Sequence, residues 1–205
     1  VNEIPQGSLT ANGPLCLTGT GQLTWTATAG AGPFDIIYDD GTANRTANSV
    51  VSGIPFNVNT NPVTTTTNYT LVSVTAATLC VRSSSFTQEL ATITINPLPA
   101  DPTNPTSDSP QCADIGVTLT STGTPPVDET WYWQTSATGT SLANSGTTFT
   151  VNTSGTYYIR SRNNTSLCWS SGAGSLAVIV NPLATATIAY AGSPYCASGT
   201  AAVTQ

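Results

Sequence analysis

Short strand-length segments between turn residues, a recurring Asn-Pro/Pro-x-Cys punctuation, and one pair of cysteines per recurrence predict an all-β protein. The predicted fold class is tandem immunoglobulin-like β-sandwiches with one disulfide per domain. Ile95-Asn96-Pro97-Leu98 recurs as Val180-Asn181-Pro182-Leu183, and Ser109-Pro110-Gln111-Cys112 recurs as Ser193-Pro194-Tyr195-Cys196. Val1-Asn2 and Gly13-Pro14-Leu15-Cys16 form a weaker first copy. A strand ends on Asn, a Pro-marked linker follows, and Pro-x-Cys opens the next unit. Repeats of this kind decide the architecture before any single element does. They place one domain at 1–97, a second at 98–181, and the start of a truncated third at 182–205. With no Met anywhere, the chain reads as a piece of a longer array.

The first domain opens with Gly7-Ser8-Leu9-Thr10, a short strand before Pro14. Gln22-Leu23-Thr24-Trp25-Thr26-Ala27 alternates polar and apolar residues, the mark of a half-buried strand. Phe34, Ile36 and Tyr38 share one face of the next strand, and Asp39-Asp40-Gly41-Thr42 signals a hairpin. Ser49-Val50-Val51, Phe56-Asn57-Val58-Asn59, the long Asn68–Val74 segment and Ala91–Ile95 complete the series. No segment carries a helical period with caps.

The second domain is terser. Val117–Thr120, Thr130–Gln134, Thr148–Val151, Gly155–Arg162 and Leu176–Val180 are its strands. Trp131 and Trp133 fall on the same strand face, so core packing accounts for both. Ser154-Gly155-Thr156-Tyr157 resembles the Ser-Gly-x-Tyr before the penultimate strand of immunoglobulin domains, which makes Tyr157 a candidate tyrosine corner. The antibody-type cysteine would fall at Ile159, yet the cysteine comes later, at Cys168. The disulfide is therefore expected to pin a loop near one pole instead of bridging the middle of the sheets. Cys80, beyond Val74, suggests the same for the first domain.

The cysteines pair by repeat in this reading, Cys16 with Cys80 and Cys112 with Cys168, leaving Cys196 without its partner. One pair per repeat points to an oxidising compartment, and neither C-x-x-C spacing nor any His supports zinc.

Charged residues make up 7% of the chain, against about 25% in ordinary globular proteins, and the net charge is −6. Four scattered Arg and no Lys cannot neutralise a phosphate backbone, so nucleic acid is not expected as a partner. Membrane insertion is not expected either, since no apolar run reaches spanning length. The polar remainder is mostly Thr, Ser and Asn, and Thr suits a strand facing water. The absence of His and Lys removes the common bases and activated nucleophiles, so no enzyme is expected. No cofactor is expected. Covalent Lys–Asn cross-links are excluded by the lack of Lys.

Two sharper readings compete with plainer ones. Asp39, Asp40 and Asp35 offer oxygens to a calcium ion, as do Asp101 and Asp108 in the linker, but the EF-hand spacing is absent. A hairpin turn explains Asp39-Asp40-Gly41 more simply. Tyr132 points away from Trp131 and Trp133, and Trp169 sits beside Cys168 in a loop; these two are the candidates for an exposed aromatic contact with sugar. The prolines of Asn96-Pro97-Leu98-Pro99 and Asp101-Pro102 favour a semi-rigid linker.

Trp131-Tyr132-Trp133, Gly146-Thr147-Thr148-Phe149, Gly155-Thr156-Tyr157-Tyr158 and Cys168, between Pro110-Gln111-Cys112 and Asn181-Pro182, resemble the immunoglobulin-like repeats of very large Bacteroidota surface proteins. These are the gliding-motility adhesins of the SprB kind and relatives exported by the type IX secretion system. The first domain, with Gly32-Pro33-Phe34, Tyr38-Asp39-Asp40-Gly41 and Thr64–Val74, is similar to their companion PKD-like repeats. The resemblance implies an extracellular, cell-surface stalk whose partners are neighbouring repeats of the same chain and extracellular polysaccharide or another surface. Such modules also stand beside catalytic domains in secreted polysaccharide-degrading enzymes. That leaves two alternatives, a carbohydrate-binding accessory module and a subunit of a self-assembling extracellular filament.

Overall fold

The computed structural model describes residues 2–186, 189–191 and 202–204. It is all-β, with no helix among the described residues, and hence none long and apolar enough to cross a membrane. The chain divides into two compact units. One holds Val1–Ala100, Pro126–Thr130 and Ser161–Ser171; the other holds Asp101–Pro125, Trp131–Arg160 and Gly172–Gln205.

The first hundred residues form β1 (Gln6–Ala11), β2 (Leu15–Cys16), β3 (Gln22–Ala29), β4 (Phe34–Asp39), β5 (Asn44–Val50), β6 (Pro55–Asn57), β7 (Thr67–Thr75), β8 (Val81–Arg82), β9 (Leu90–Ile93) and β10 (Ile95–Asn96). One sheet has the order β1-β3-β6. The other runs β5-β4-β7-β8, with β9 also paired to β7. Alternation sends Leu9, Leu23 and Trp25 of the first sheet and Phe34, Ile36, Tyr38, Tyr69 and Leu71 of the second into one core, which Val74 joins beyond an irregularity in the β4–β7 register. This is the period-2 pattern that a two-layer sandwich needs. Trp25 is fully buried, with Phe34 and Phe86 edge-on to its ring at 6.1 and 6.0 Å between centroids.

The later residues form β11 (Thr106–Ser107), β12 (Gln111–Cys112), β13 (Val117–Thr120), β14 (Glu129–Gln134), β15 (Thr148–Val151), β16 (Gly155–Asn163), β17 (Gly174–Val178) and β18 (Val180–Asn181). Their sheets run β11-β13-β15 and β14-β16-β17. Val117, Leu119, Trp131, Trp133, Val151, Tyr157, Ile159 and Val178 form the core. Trp133 stacks on Phe149, and its Nε1 donates to the Gly146 carbonyl at 3.1 Å. The Tyr157 hydroxyl donates to the Thr153 carbonyl at 3.0 Å, the tyrosine-corner geometry.

Only part of the expected third domain is described. β19 (Ala189–Ala191) pairs antiparallel with β20 (Ala202–Thr204). Cys196 lies outside the described residues.

Several elements differ from the sequence reading. β5 starts at Asn44 and runs through a polar stretch with no hydrophobic period, because it is an edge strand held by pairing to β4. The two-residue strands β2, β8, β11 and β12 were not expected, being too short to carry a period.

Candidate functional site

The four described cysteines occupy two kinds of position, and each kind occurs once in each of the first two sequence repeats. In the first kind, a two-residue strand carrying Cys pairs parallel with the strand that ends on Asn. Leu15 and Cys16 face Ile95 and Asn96; Gln111 and Cys112 face Val180 and Asn181. The flanking amides bond alike. Leu15 N donates to the Thr94 carbonyl and Leu17 N to the Asn96 carbonyl, both at 2.8 Å. Gln111 N donates to the Ile179 carbonyl at 3.4 Å and Ala113 N to the Asn181 carbonyl at 2.9 Å. Cys16 and Cys112 are both exposed.

In the second kind, Cys closes a tight loop after the long strand. Ala76 N donates to the Cys80 carbonyl and Asn163 N to the Cys168 carbonyl, each at 2.9 Å. The residue before each cysteine has left-handed backbone, Leu79 at φ 64° and Leu167 at φ 62°. That conformation turns the chain back toward β8 and β17, and is uncommon for a residue other than Gly.

Cys16 bonds to Cys168 across a sequence separation of 152, with Cα atoms 5.6 Å apart. This corrects the expected pairs Cys16–Cys80 and Cys112–Cys168: Cys80 and Cys112 are free thiols. The reason is strand length. Cys16 neighbours Ile95, whose amide bonds Thr66 just before β7, whereas Cys80 follows the end of β7. A nine-residue strand spans about 26 Å at roughly 3.3 Å per residue, far beyond the roughly 7 Å Cα limit of a disulfide. The same holds for Cys112 and Cys168. Val180 beside Cys112 bonds Ser154 just before nine-residue β16, and Cys168 follows its end. In each repeat the two cysteines stand at opposite poles. Cys168 belongs to the Ser161–Ser171 segment, so the bond lies inside the first compact unit.

The Cys168 loop is held by polar anchors. Asn163 Oδ1 accepts from the amides of Thr165 and Ser166 at 3.0 and 2.7 Å, an Asx turn. Asn164 N donates to the Asp128 carbonyl at 2.8 Å, and the Thr130 hydroxyl donates to Asn164 Oδ1 at 2.9 Å. Ser161 and Ser170, both fully buried, are joined as Ser170 N donates to the Ser161 carbonyl at 2.8 Å. The Ser161 hydroxyl donates to Glu129 Oε2 at 2.5 Å. Sequence reading missed these residues; only the Asn163-Asn164 pair before a cysteine hints at a built loop.

The proposed aromatic contacts are half-buried. Trp169 forms an antiparallel bridge with Arg162, whose guanidinium lies 5.9 Å from the ring centroid, a cation–π arrangement. Tyr132 in β14 bridges to Ser145. Tyr132 and Trp169 fall in different compact units.

The aspartates are engaged locally. The Asp40 carboxylate accepts from the Thr42 hydroxyl and the amides of Thr42 and Ala43, and pairs with Arg45 Nε at 2.7 Å. The Thr42 hydroxyl bond, followed by Arg45 and the two amides, holds its pKa well below the ordinary carboxylate range, outweighing partial burial. Asp39 accepts from Gly41 N, Asp35 from Ser49 N, Asp108 from Thr118 N and Asp101 from Gly172 N. Gly41 has φ 82°, as the hairpin turn requires. No group of three or more metal-ligating residues occurs among the described residues. Two surface depressions of the first unit, 170 and 270 Å³, are smaller than the roughly 300–1,000 Å³ of small-molecule sites.

Arg160 is buried, and its Nη1 donates to the Gly139 carbonyl at 2.9 Å. Burial lowers its pKa, while Asp101 acts in the opposite sense. Its position in β16 carries no sequence signal of that role.

These strands, cores and loops are those of immunoglobulin-like sandwiches. Residues 99–182 match the family described as "Ig-like domain CHU_C associated". No curated protein matches the chain. Among solved structures, the FN1–FN3 domains of chicken CNTN1 align with 10% identity and a TM-score of 0.41, over 87% of this chain and 66% of that one. An immunoglobulin-like domain holding a disulfide is typical of extracellular proteins.

Proposed function

We propose that this chain is a set of structural repeats from a very large secreted cell-surface adhesin. In this reading it is exported by a type IX secretion system, serves surface attachment or gliding motility, and has no catalytic role. The observation that supports it best is the duplicated closure, Leu15–Cys16 on Ile95–Asn96 and Gln111–Cys112 on Val180–Asn181. A module closed twice in the same way suits an array, where each copy is a spacer. The hydroxyl-rich, weakly charged surface agrees with a load-bearing role outside the cell. Neighbouring repeats and an extracellular polysaccharide or surface are its proposed partners.

The test is antibody labelling of intact cells with serum against residues 99–182, combined with in-frame deletion of these repeats. Labelled cells that lose attachment or gliding support the adhesin. Intact cells without label, or deletion that leaves attachment unchanged, overturn it. Glycan affinity lost in Tyr132→Ala or Trp169→Ala would favour the accessory-module alternative.

A further inference from the structure

The one disulfide among the described residues joins one cysteine of each kind, the strand cysteine Cys16 and the loop cysteine Cys168. The two free thiols among the described residues are again one of each kind, the strand cysteine Cys112 and the loop cysteine Cys80. Cys112 matches Cys16 in parallel pairing, in flanking amide bonds and in exposure. Cys80 matches Cys168 in loop closure and in the left-handed Leu before it. The bond takes its strand cysteine from the earlier sequence repeat and its loop cysteine from the later one.

We infer that Cys112 and Cys80 are each half of a further bond of this same kind, Cys112 to the loop cysteine of a following repeat and Cys80 to the strand cysteine of a preceding one. The partner is an immunoglobulin-like repeat carrying the complementary cysteine. It is supplied either by the same polypeptide or by a second copy of this chain. Disulfides then run from repeat to repeat in a daisy chain, and none closes within a repeat. The opposite-pole placement of the cysteines forbids the in-repeat bond, as strand length shows. Cys80 is half-buried with its Sγ 3.9 Å from the Asn2 carbonyl, while Cys112 is open to solvent.

The chemistry is thiol–disulfide exchange with a disulfide oxidant. A Cys112 thiolate attacks the oxidant's S–S bond and expels one thiol. The partner's loop thiolate then attacks the mixed disulfide and expels the second. Two protein thiols become one disulfide, and the oxidant leaves as two thiols carrying the two electrons and two protons.

Two measurements test this. In the first, the native protein is trapped with N-ethylmaleimide and its disulfide-linked peptides are mapped by mass. The expected result is Cys112 linked to a loop-type cysteine, Cys80 linked to a strand-type cysteine, and Cys16 linked to Cys168. Alkylated Cys80 and Cys112, or links to cysteines of the same kind, overturn the inference. In the second, this chain carrying Cys196→Ser is oxidised with glutathione disulfide at high concentration. Multimers held by Cys80–Cys112 links, lost in both Cys80→Ser and Cys112→Ser, identify a second copy as a competent partner. Monomers that keep both thiols, where the first measurement has found both cysteines linked, assign the native link to a repeat in the same polypeptide; where it has found them alkylated, the inference is overturned. A Cys80–Cys112 bond closed within one monomer overturns the inference. Retention of Cys16–Cys168 in each variant reports that it has folded. Neither readout involves attachment, so failure here is separate from failure of the adhesin reading.

Discussion

The two sequence repeats close on the same cysteine strand, but they are held together differently. The first has a five-stranded sheet and a core around Trp25, whose ring meets Phe34 and Phe86 edge-on and whose Nε1 has no hydrogen-bond partner. In the second, no sheet exceeds three strands, and Trp133 both stacks on Phe149 and bonds the Gly146 carbonyl. The loops differ in the same direction. The Cys80 loop is held by backbone amide bonds, among them Ala77 N to the Ala31 carbonyl, and by the weak Cys80 Sγ contact with the Asn2 carbonyl, whereas the Cys168 loop is also fastened by the side chains of Asn163, Asn164 and Ser161. A smaller apolar core leaves more of the stability to directed polar contacts, while the covalent bond, with Cys16 in the first repeat and Cys168 in the second, is shared by both.

The largest effect compares the bonded loop cysteine, Cys168, with the free one, Cys80. Reduction, or the double substitution Cys16→Ser/Cys168→Ser, should cost up to about 5 kcal/mol in the chain-entropy treatment of so long a loop. Cys80→Ser should stay within about 0.5 kcal/mol, as for a half-exposed thiol outside any network. Urea midpoints of the three proteins check this, and equal losses would erase the distinction between the loops.

Truncation of the aromatic centres comes next. Trp25→Ala and Trp133→Ala should each cost about 3–5 kcal/mol through lost burial and the cavity left behind. Trp→Phe separates them: Trp133→Phe also leaves the Gly146 carbonyl without its donor, which should add about 1 kcal/mol relative to Trp25→Phe. Thermal unfolding of the two Phe variants is the measurement.

Tyr157→Phe removes the bond to the Thr153 carbonyl and should cost about 1 kcal/mol. In the first repeat, Tyr38→Phe removes the bond donated to Asn59 Oδ1 and the one accepted from the Asn59 amide, and should cost about 1–2 kcal/mol. A clear excess for Tyr157 would show that the second repeat depends more on its polar fastenings.

The smallest effect concerns acid. The Asp40 pKa is lower in the folded chain than its ordinary value near 4, so its contribution is fully present above about pH 5 and is lost as pH falls toward the depressed value. Asp40→Asn should flatten the acid limb of stability against pH, as followed by urea titration between about pH 2 and 6.

Strand positions with a strict period were legible from residues alone. Phe34, Ile36 and Tyr38 face one way, as do Trp131 and Trp133, because alternation along a strand is a local property. The Asp39–Thr42 turn and the Tyr157 corner were legible for the same reason, since each rests on neighbours in the chain. β5 was hidden by its polar composition, and its strand character comes from pairing with β4. For Tyr132 and Trp169 the residues indicate only the exposure usual for a strand face or a loop, while their partial burial and the Arg162 contact depend on the folded surroundings.

Cysteine pairing shows the boundary most clearly. The residues themselves determined that there are two cysteine positions per repeat, that both fall at the ends of strands, and that the chain is all-β. Which sulfur meets which was decided by the tertiary structure alone. β7 and β16, nine residues each and so about 26 Å long, separate the strand cysteine near one end from the loop cysteine past the other, whatever their matching order in sequence. A disulfide requires Cα atoms within about 7 Å; the fold brings Cys16 and Cys168 to 5.6 Å and leaves Cys80 and Cys112 as free thiols.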